Sequence, residues 1–369
     1  MPSTLRFLRE FLRPSPDAVV AEETRYRRGD AVLEATLFRP AGGASGPLPG
    51  WVTLHGLTYY GRKHPSLDRF ARAMAASGAA VLVPDLPEWR RLRVAPGATV
   101  ETIRSAVLEL DSRGLTEPGR IGVMGFSFGA TQALVASTDP ALHGHLAGVA
   151  AWGGYGDFRR VTRFMFLGEH ELDDASYRAE PDPYGRWILA GNYLTLLPEH
   201  RDDDALADAV LGLALEAGRQ RIMSWDPAMD PVKAAARASL DERQRAVFDL
   251  VAPPADRPLA LGDRERLRAV MDRMIDAAVA SEPLLEAAPY FPRVPVPVFL
   301  AHGRGDRLMP WTEMIRIRRA LPPGRLTRSG ITSLFSHSFG ERRFPTPGLV
   351  LEGLRFVRLL DGMVKLIRA

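Results

Sequence analysis

Three residue types that can do chemistry together occur in this chain in a suggestive order. Ser127 stands in Gly125-Phe126-Ser127-Phe128-Gly129, Asp306 in Arg304-Gly305-Asp306-Arg307, and His337 in the run SLFSHSFGE. A serine hydroxyl is a weak nucleophile until a base removes its proton, and the usual base is a histidine held by a carboxylate. That pattern is acyl transfer: serine attacks a carbonyl, histidine moves the proton, aspartate orients the histidine. His337 is the only histidine downstream of Asp306, so the order Ser, Asp, His nearly fixes the assignment. If Asp306 is not the acid, a carboxylate after another strand takes its place.

The tetrahedral intermediate needs two N–H donors. Phe128, directly after the serine, supplies one. The loop His55-Gly56-Leu57-Thr58-Tyr59-Tyr60-Gly61 supplies the other, through the backbone of Leu57. His55 reads as a group bracing that loop. Tyr59, Tyr60 and Phe126 are candidates for the pocket wall. His143, His145, His170 and His200 lack metal-ligand spacing, so the expectation is no metal.

The elements around these residues must hold them in place. RIGVMG before Ser127 reads as a strand and FGATQALVAS after it as a helix, so the serine sits on a sharp turn between two packed elements. WVTLH, AAVLVPD, AGVAAWGG and VPVFLAHG read as further strands, and RLTRSGIT as the last. PSLDRFARAMAASG, TVETIRSAVLELDSRG, PWTEMIRIRRAL and the closing TPGLVLEGLRFVRLLDGMVKLIRA read as helices. Strands and helices alternate, and the strand runs are too continuously apolar for a half-exposed sheet. This predicts a doubly wound α/β architecture with a mostly parallel sheet covered on both faces. AVVAEETRYRR and AVLEATLFRP, joined at Arg28-Gly29-Asp30, predict an antiparallel hairpin at one edge. Residues 1–14 predict a short amphipathic helix packed on the main body.

Between about 157 and 290 the rhythm stops. Little strand signal is present, and four helical stretches separated by prolines and acidic turns predict an inserted helical subdomain. The core then comprises 1–156 and 291–369. Seven aromatic residues, Phe158, Phe164, Phe166, Tyr177, Tyr184, Trp187 and Tyr193, fall in the insertion, and their helical spacing favours a core of its own over a pocket lining.

GFSFG as elbow, HGL as oxyanion loop, GRGD as acid loop and SHSF as histidine loop resemble the α/β-hydrolases, over residues 51 to about 340. The nearest flavour is the carboxylesterase and dienelactone-hydrolase-like branch, although true dienelactone hydrolases carry cysteine at the elbow and this chain has none. The resemblance implies an eight-stranded mostly parallel sheet, a Ser127–His337–Asp306 triad, no cofactor, and a lid where the inserted helices fall.

The expected activity is hydrolysis of a small-molecule carboxylic ester through an acyl-enzyme. A peptidase or amidase, a thioesterase and a carbon–carbon hydrolase would share the machinery, and a ligand-binding protein on the same fold is the non-enzyme alternative. Composition is that of an ordinary globular chain: 369 residues, 46% hydrophobic, 25% charged, net charge +4. The basic residues are almost all arginine, interspersed with acids and forming no long block, which argues against a nucleic-acid partner. No apolar run is long enough to cross a bilayer. The N-terminal stretch is too charged for a signal peptide, so the expected location is cytoplasmic. A homodimer through the terminal helices is compatible with catalysis.

Overall fold

The computed structural model describes residues 3–43, 46–257, 259–334 and 347–366. Ten strands are present among the described residues: β1 Val19–Arg28, β2 Ala31–Pro40, β3 Leu48–Leu54, β4 Ala80–Pro84, β5 Thr116–Phe126, β6 Leu146–Trp152, β7 Glu169–Leu172, β8 Ala175–Arg178, β9 Val298–Gly303 and β10 Leu326–Thr332. Eight form one sheet in the order β1-β2-β4-β3-β5-β6-β9-β10. β2 runs antiparallel to β1 and β4, and the other pairings are parallel. The expected hairpin is present, its turn closed by Gly29 at φ 56°, a left-handed conformation that glycine adopts without a Cβ penalty.

Side chains alternate between two apolar layers along the central strands. Val52 and Leu54 enter one layer and Trp51 the other; Ile121 and Val123 oppose Met124; Val298 and Leu300 oppose Phe299 and Ala301. A strand buried on both faces must read as a continuous apolar run, which explains why these segments lack polar alternation. Trp51 fits because its neighbour on β5 is Gly122: a Cβ there would stand 2.5 Å from the indole ring. The first layer is covered by helices Pro96–Ser112, Phe128–Ala136 and Trp311–Ala320 and by the insertion. The second is covered by helices Ser3–Leu12, Pro65–Ala76 and Pro347–Leu366. In the N-terminal helix Phe7 is buried against Phe70 and Phe11, and Thr4 donates to Asp361 of the C-terminal helix at 2.7 Å. Among the described residues no helix is long and apolar enough to cross a membrane.

The segment between β6 and β9 carries helices Pro183–Tyr193, Asp204–Gln220, Asp230–Ala238, Glu242–Val251 and Leu261–Ser281. Two features there differ from the sequence expectation. Helix Phe158–Leu167 opens the insertion, its start capped by the Asp157 carboxylate accepting from Arg160 N–H at 2.8 Å. β7 and β8 form an antiparallel hairpin turned at Asp173. Its strands, the acidic EHEL and the exposed ASYR, are four residues each and carry little β signal. Tertiary contacts hold it: the His170 and Tyr177 rings stack at 5.1 Å, and Arg319 pairs with Asp173 at 2.6 Å. Five of the seven aromatics, Phe158, Phe164, Phe166, Trp187 and Tyr193, are buried in the core as their spacing predicts, Tyr177 is exposed, and Tyr184 is half-buried.

Candidate active site

β3, β5, β6 and β9 are mutually parallel, so the loops after them gather on one edge of the sheet, where open α/β sheets carry their ligands. Ser127 follows β5 directly, the loop 55–61 follows β3, and Asp306 follows β9. The expected juxtaposition of strand ends is therefore built into the topology.

Ser127 adopts φ 55°, ψ −130°. A non-glycine residue held there stores strain of order 1–3 kcal/mol. Two features hold it. Its N–H donates to the Trp152 carbonyl at 2.9 Å, locking the turn to the end of β6. Gly125 lets the following helix fold back onto β5: a Cβ at 125 would stand 2.1 Å from the Gly129 carbonyl oxygen. Helix Phe128–Ala136 is buried at every position, Thr131 and Gln132 included, as a helix apolar on most sides must be. Phe128 is its first residue, so its N–H has no partner within the helix. The helix N-terminus adds a partial positive charge beside Ser127.

The loop after β3 passes beside the serine. A Cβ on Gly56 would lie 3.7 Å from the Ser127 Cβ. The peptide joining Gly56 to Leu57 is held at its carbonyl end, where His55 Nδ1 lies 2.7 Å from the Gly56 oxygen. A carbonyl can only accept, so Nδ1 carries the proton, and Nε2 accepts from Leu86 N–H at 3.3 Å. Burial holds the imidazole neutral, lowering its pKa to about 4. In a trans peptide the N–H points opposite to the C=O, so His55 aims the Leu57 N–H away from the core. This is the bracing role expected of His55. The next carbonyl, that of Leu57, accepts from the Tyr184 hydroxyl at 3.0 Å. The far end of the loop is tied down by buried Arg62, which bonds Glu23 of β1 at 2.6 Å and Glu34 of β2 at 2.5 Å.

Asp306 is buried. Its Oδ1 accepts from the Leu308 and Met309 N–H groups, both at 2.9 Å. His302, on β9, places Nε2 2.9 Å from the Met309 carbonyl, as donor, and 3.8 Å from Asp306 Oδ2. His302 escapes sequence reasoning because it lies inside an apolar strand run, where a histidine gives no turn or spacing signal. His337 lies outside the described residues.

The pocket candidates take separate places. Tyr59 is exposed, beneath Arg219 of the insertion at 6.0 Å, and Tyr60 accepts from Arg221 at 2.9 Å. Phe126 packs edge-on against Phe70 and Trp152 in the second apolar layer.

The insertion meets both loops. Tyr184, Arg219 and Arg221 reach the loop after β3. On the other side the acid loop is held by Arg307, whose Nε donates to the Glu180 carbonyl at 2.9 Å and whose guanidinium lies 4.4 Å from the Trp225 ring. The Arg307 carbonyl accepts from Asp182 N–H at 2.8 Å, and Asp182 caps the helix that bears Tyr184. Buried Glu313 accepts from Gly156 N–H at 2.8 Å and Arg160 at 2.7 Å, fixing where the insertion leaves the sheet. Apart from the Asp182 cap, none of these contacts has a local sequence signal, since each joins residues far apart in the chain.

No protein-family model matches the chain, and no curated protein sequence matches it. Solved structures do. An acylaminoacyl peptidase from Pyrococcus horikoshii is similar with a TM-score of 0.53 at 13% identity, covering 97% of this chain and 43% of that one. Brefeldin A esterase, a bacterial protein, gives 0.51 at 17% over 99% and 86%. An esterase from Pyrobaculum calidifontis gives 0.50 at 14% over 98% and 90%. The chain thus spans less than half the length of the peptidase and most of the length of each esterase. The similarity reaches across nearly the whole chain and matches the eight-stranded, mostly parallel sheet, so the chain has the α/β-hydrolase fold.

Proposed function

We propose that the chain is a serine hydrolase that cleaves carboxylic esters through an acyl-enzyme. Ser127 Oγ attacks the ester carbonyl while His337 takes its proton. Asp306 orients His337 and stabilises the imidazolium. The N–H groups of Leu57 and Phe128 receive the oxyanion, His337 returns the proton to the departing alcohol, and water releases the acid by the reverse sequence. The insertion acts as a lid that walls the pocket and limits water. No cofactor takes part in this scheme.

The observation that carries the reading is the strained backbone of Ser127. Glycine would occupy φ 55° without penalty, so a serine kept there, at a helix N-terminus and beside the loop after β3, marks a position where the hydroxyl is needed. The similar structures include both esterases and a peptidase, so an amide is the second reading.

A fluorophosphonate probe applied to the chain and to Ser127→Ala tests the nucleophile. Labelling is expected only in the former. Turnover of p-nitrophenyl esters of increasing acyl length, beside an acyl p-nitroanilide, then tests the bond. Labelling with anilide turnover and no ester turnover would replace the ester by an amide. Equal labelling of Ser127→Ala would remove Ser127 from the mechanism.

A further inference from the structure

Among the described residues β10 pairs with β9 alone, so one of its edges closes the sheet. Helix Trp311–Ala320 flanks it on one face and helix Pro347–Leu366 on the other. These elements line a cavity of 540 Å³, within the size range of small-molecule sites. Its lining reaches Arg304, two residues before Asp306, but includes neither Asp306, the elbow nor the loop after β3.

The charge of the wall is one-sided. Among the described residues, Arg304, Arg318, Arg328, Arg355 and Arg358 line it against a single carboxylate, Glu352. Glu352 is already engaged: Oε2 accepts from Ser333 N–H at 2.6 Å, and Oε1 stands 3.8 Å from Arg304. Among the described residues, the other four arginines make no ion pair within 4 Å, and all four are exposed. Arg328 feels Asp361, but that carboxylate is held by Lys365 at 2.7 Å and by Thr4.

A charged edge strand guards against edge-to-edge aggregation, and that duty would explain one arginine on β10. It does not explain the other four. Arg318 comes from one flanking helix, Arg355 and Arg358 from the other, and Arg304 from the end of β9. Positive groups drawn from four elements onto one concavity repel one another unless an anion sits among them.

We propose that this cavity binds a small, multiply charged oxyanion, a phosphate- or carboxylate-bearing metabolite. The guanidinium forks match such groups in pairs, and the apolar side chains of the wall accept a carbon skeleton. The site is independent of the proposed ester chemistry.

Isothermal titration calorimetry on the full chain at low ionic strength tests it, with inorganic pyrophosphate in one arm and citrate in the other. Saturable binding at one site is expected, weakening as salt rises. Pyrophosphate alone would identify a phosphate ligand, and citrate alone a carboxylate. The double variant Arg328→Gln/Arg355→Gln should weaken binding by about tenfold or more, while Ser127→Ala should leave it unchanged. If the double variant melts early, Arg318→Glu, at an exposed position on the opposite face, decides the matter by the same loss. No saturable heat with either probe, or unchanged affinity in Arg318→Glu and the double variant, would overturn the proposal.

Discussion

The turn after β5 and the turn after β9 lift the two candidate side chains, Ser127 and Asp306, from the same sheet edge by opposite means. The serine turn is held by steric exclusion. Its backbone is strained, and its geometry depends on two glycines that allow a helix to fold back onto a strand. The aspartate turn is held by polar attraction, with a buried carboxylate gathering two backbone N–H groups. Close packing tolerates no added atom, whereas a hydrogen-bonded loop tolerates any side chain that keeps the acceptor. The two turns should therefore fail differently.

The largest effect is expected at Gly125. Its added Cβ would meet the Gly129 carbonyl oxygen at 2.1 Å and carbon at 2.3 Å, backbone atoms that cannot rotate away. Gly125→Ala should destabilise the protein by about 3 kcal/mol or more, as overpacking does in a rigid core. Gly129→Ala meets the Trp89 ring at 3.2 Å instead, and should cost clearly less. Chemical denaturation of both variants checks the difference; similar midpoints would show that the elbow is not sterically determined.

The acid loop sharpens the contrast. Asp306→Ala removes the acceptor from two N–H groups, one of them on buried Met309, and should cost about 2 kcal/mol. Asp306→Asn keeps an oxygen for both donors, so its stability should stay close to that of the parent. Its turnover should fall by roughly 10⁴-fold, because the amide no longer selects the histidine tautomer that catalysis needs. Equal stability of the two variants would mean that the loop does not depend on that carboxylate.

Strain gives a change of the opposite sign. Ser127→Gly places at φ 55° the residue that tolerates it, and should raise stability by about 1 kcal/mol while abolishing probe labelling. Ser127→Ala retains the Cβ and with it the strain, so it should abolish labelling with no gain. A glycine variant no more stable than the alanine variant would remove strain from the account.

These differences also explain how much was legible in the sequence. Steric turns write themselves locally: Gly125, Ser127 and Gly129 lie within five residues, and the strand before and helix after them are both continuous and apolar. The sheet strands were legible for the same reason. The place of Asp306 was legible as a turn after a strand, but its two N–H donors and the His302 bond to Met309 were not, because hydrogen-bond acceptance leaves no spacing pattern. Helix Phe158–Leu167 carried a signal, Asp157 as cap with Phe158, Val161, Phe164 and Met165 on one face. The β7–β8 hairpin carried almost none, since residues more than a hundred positions away hold it. His337 lies outside the described residues, and its place rests on chain order alone.

The smallest expected effect tests whether the insertion belongs to the site or only covers it. Tyr184 donates its hydroxyl to the Leu57 carbonyl at 3.0 Å. Burial pushes the phenol pKa well up, so the group remains a donor across the working pH range. Tyr184→Phe keeps the ring and loses only that bond, at a stability cost of about 1 kcal/mol. The Gly56 carbonyl is still gripped by His55, so the peptide carrying the Leu57 N–H keeps its own anchor and only the next peptide loses one. If the hydroxyl helps to aim that N–H, the loss appears in kcat, by roughly three- to tenfold, because oxyanion contacts strengthen only as the tetrahedral intermediate forms. A purely structural hydroxyl would leave kcat unchanged and alter only the melting temperature. A change confined to KM would instead assign Tyr184 to the pocket wall, and would place the insertion on the substrate side of the site.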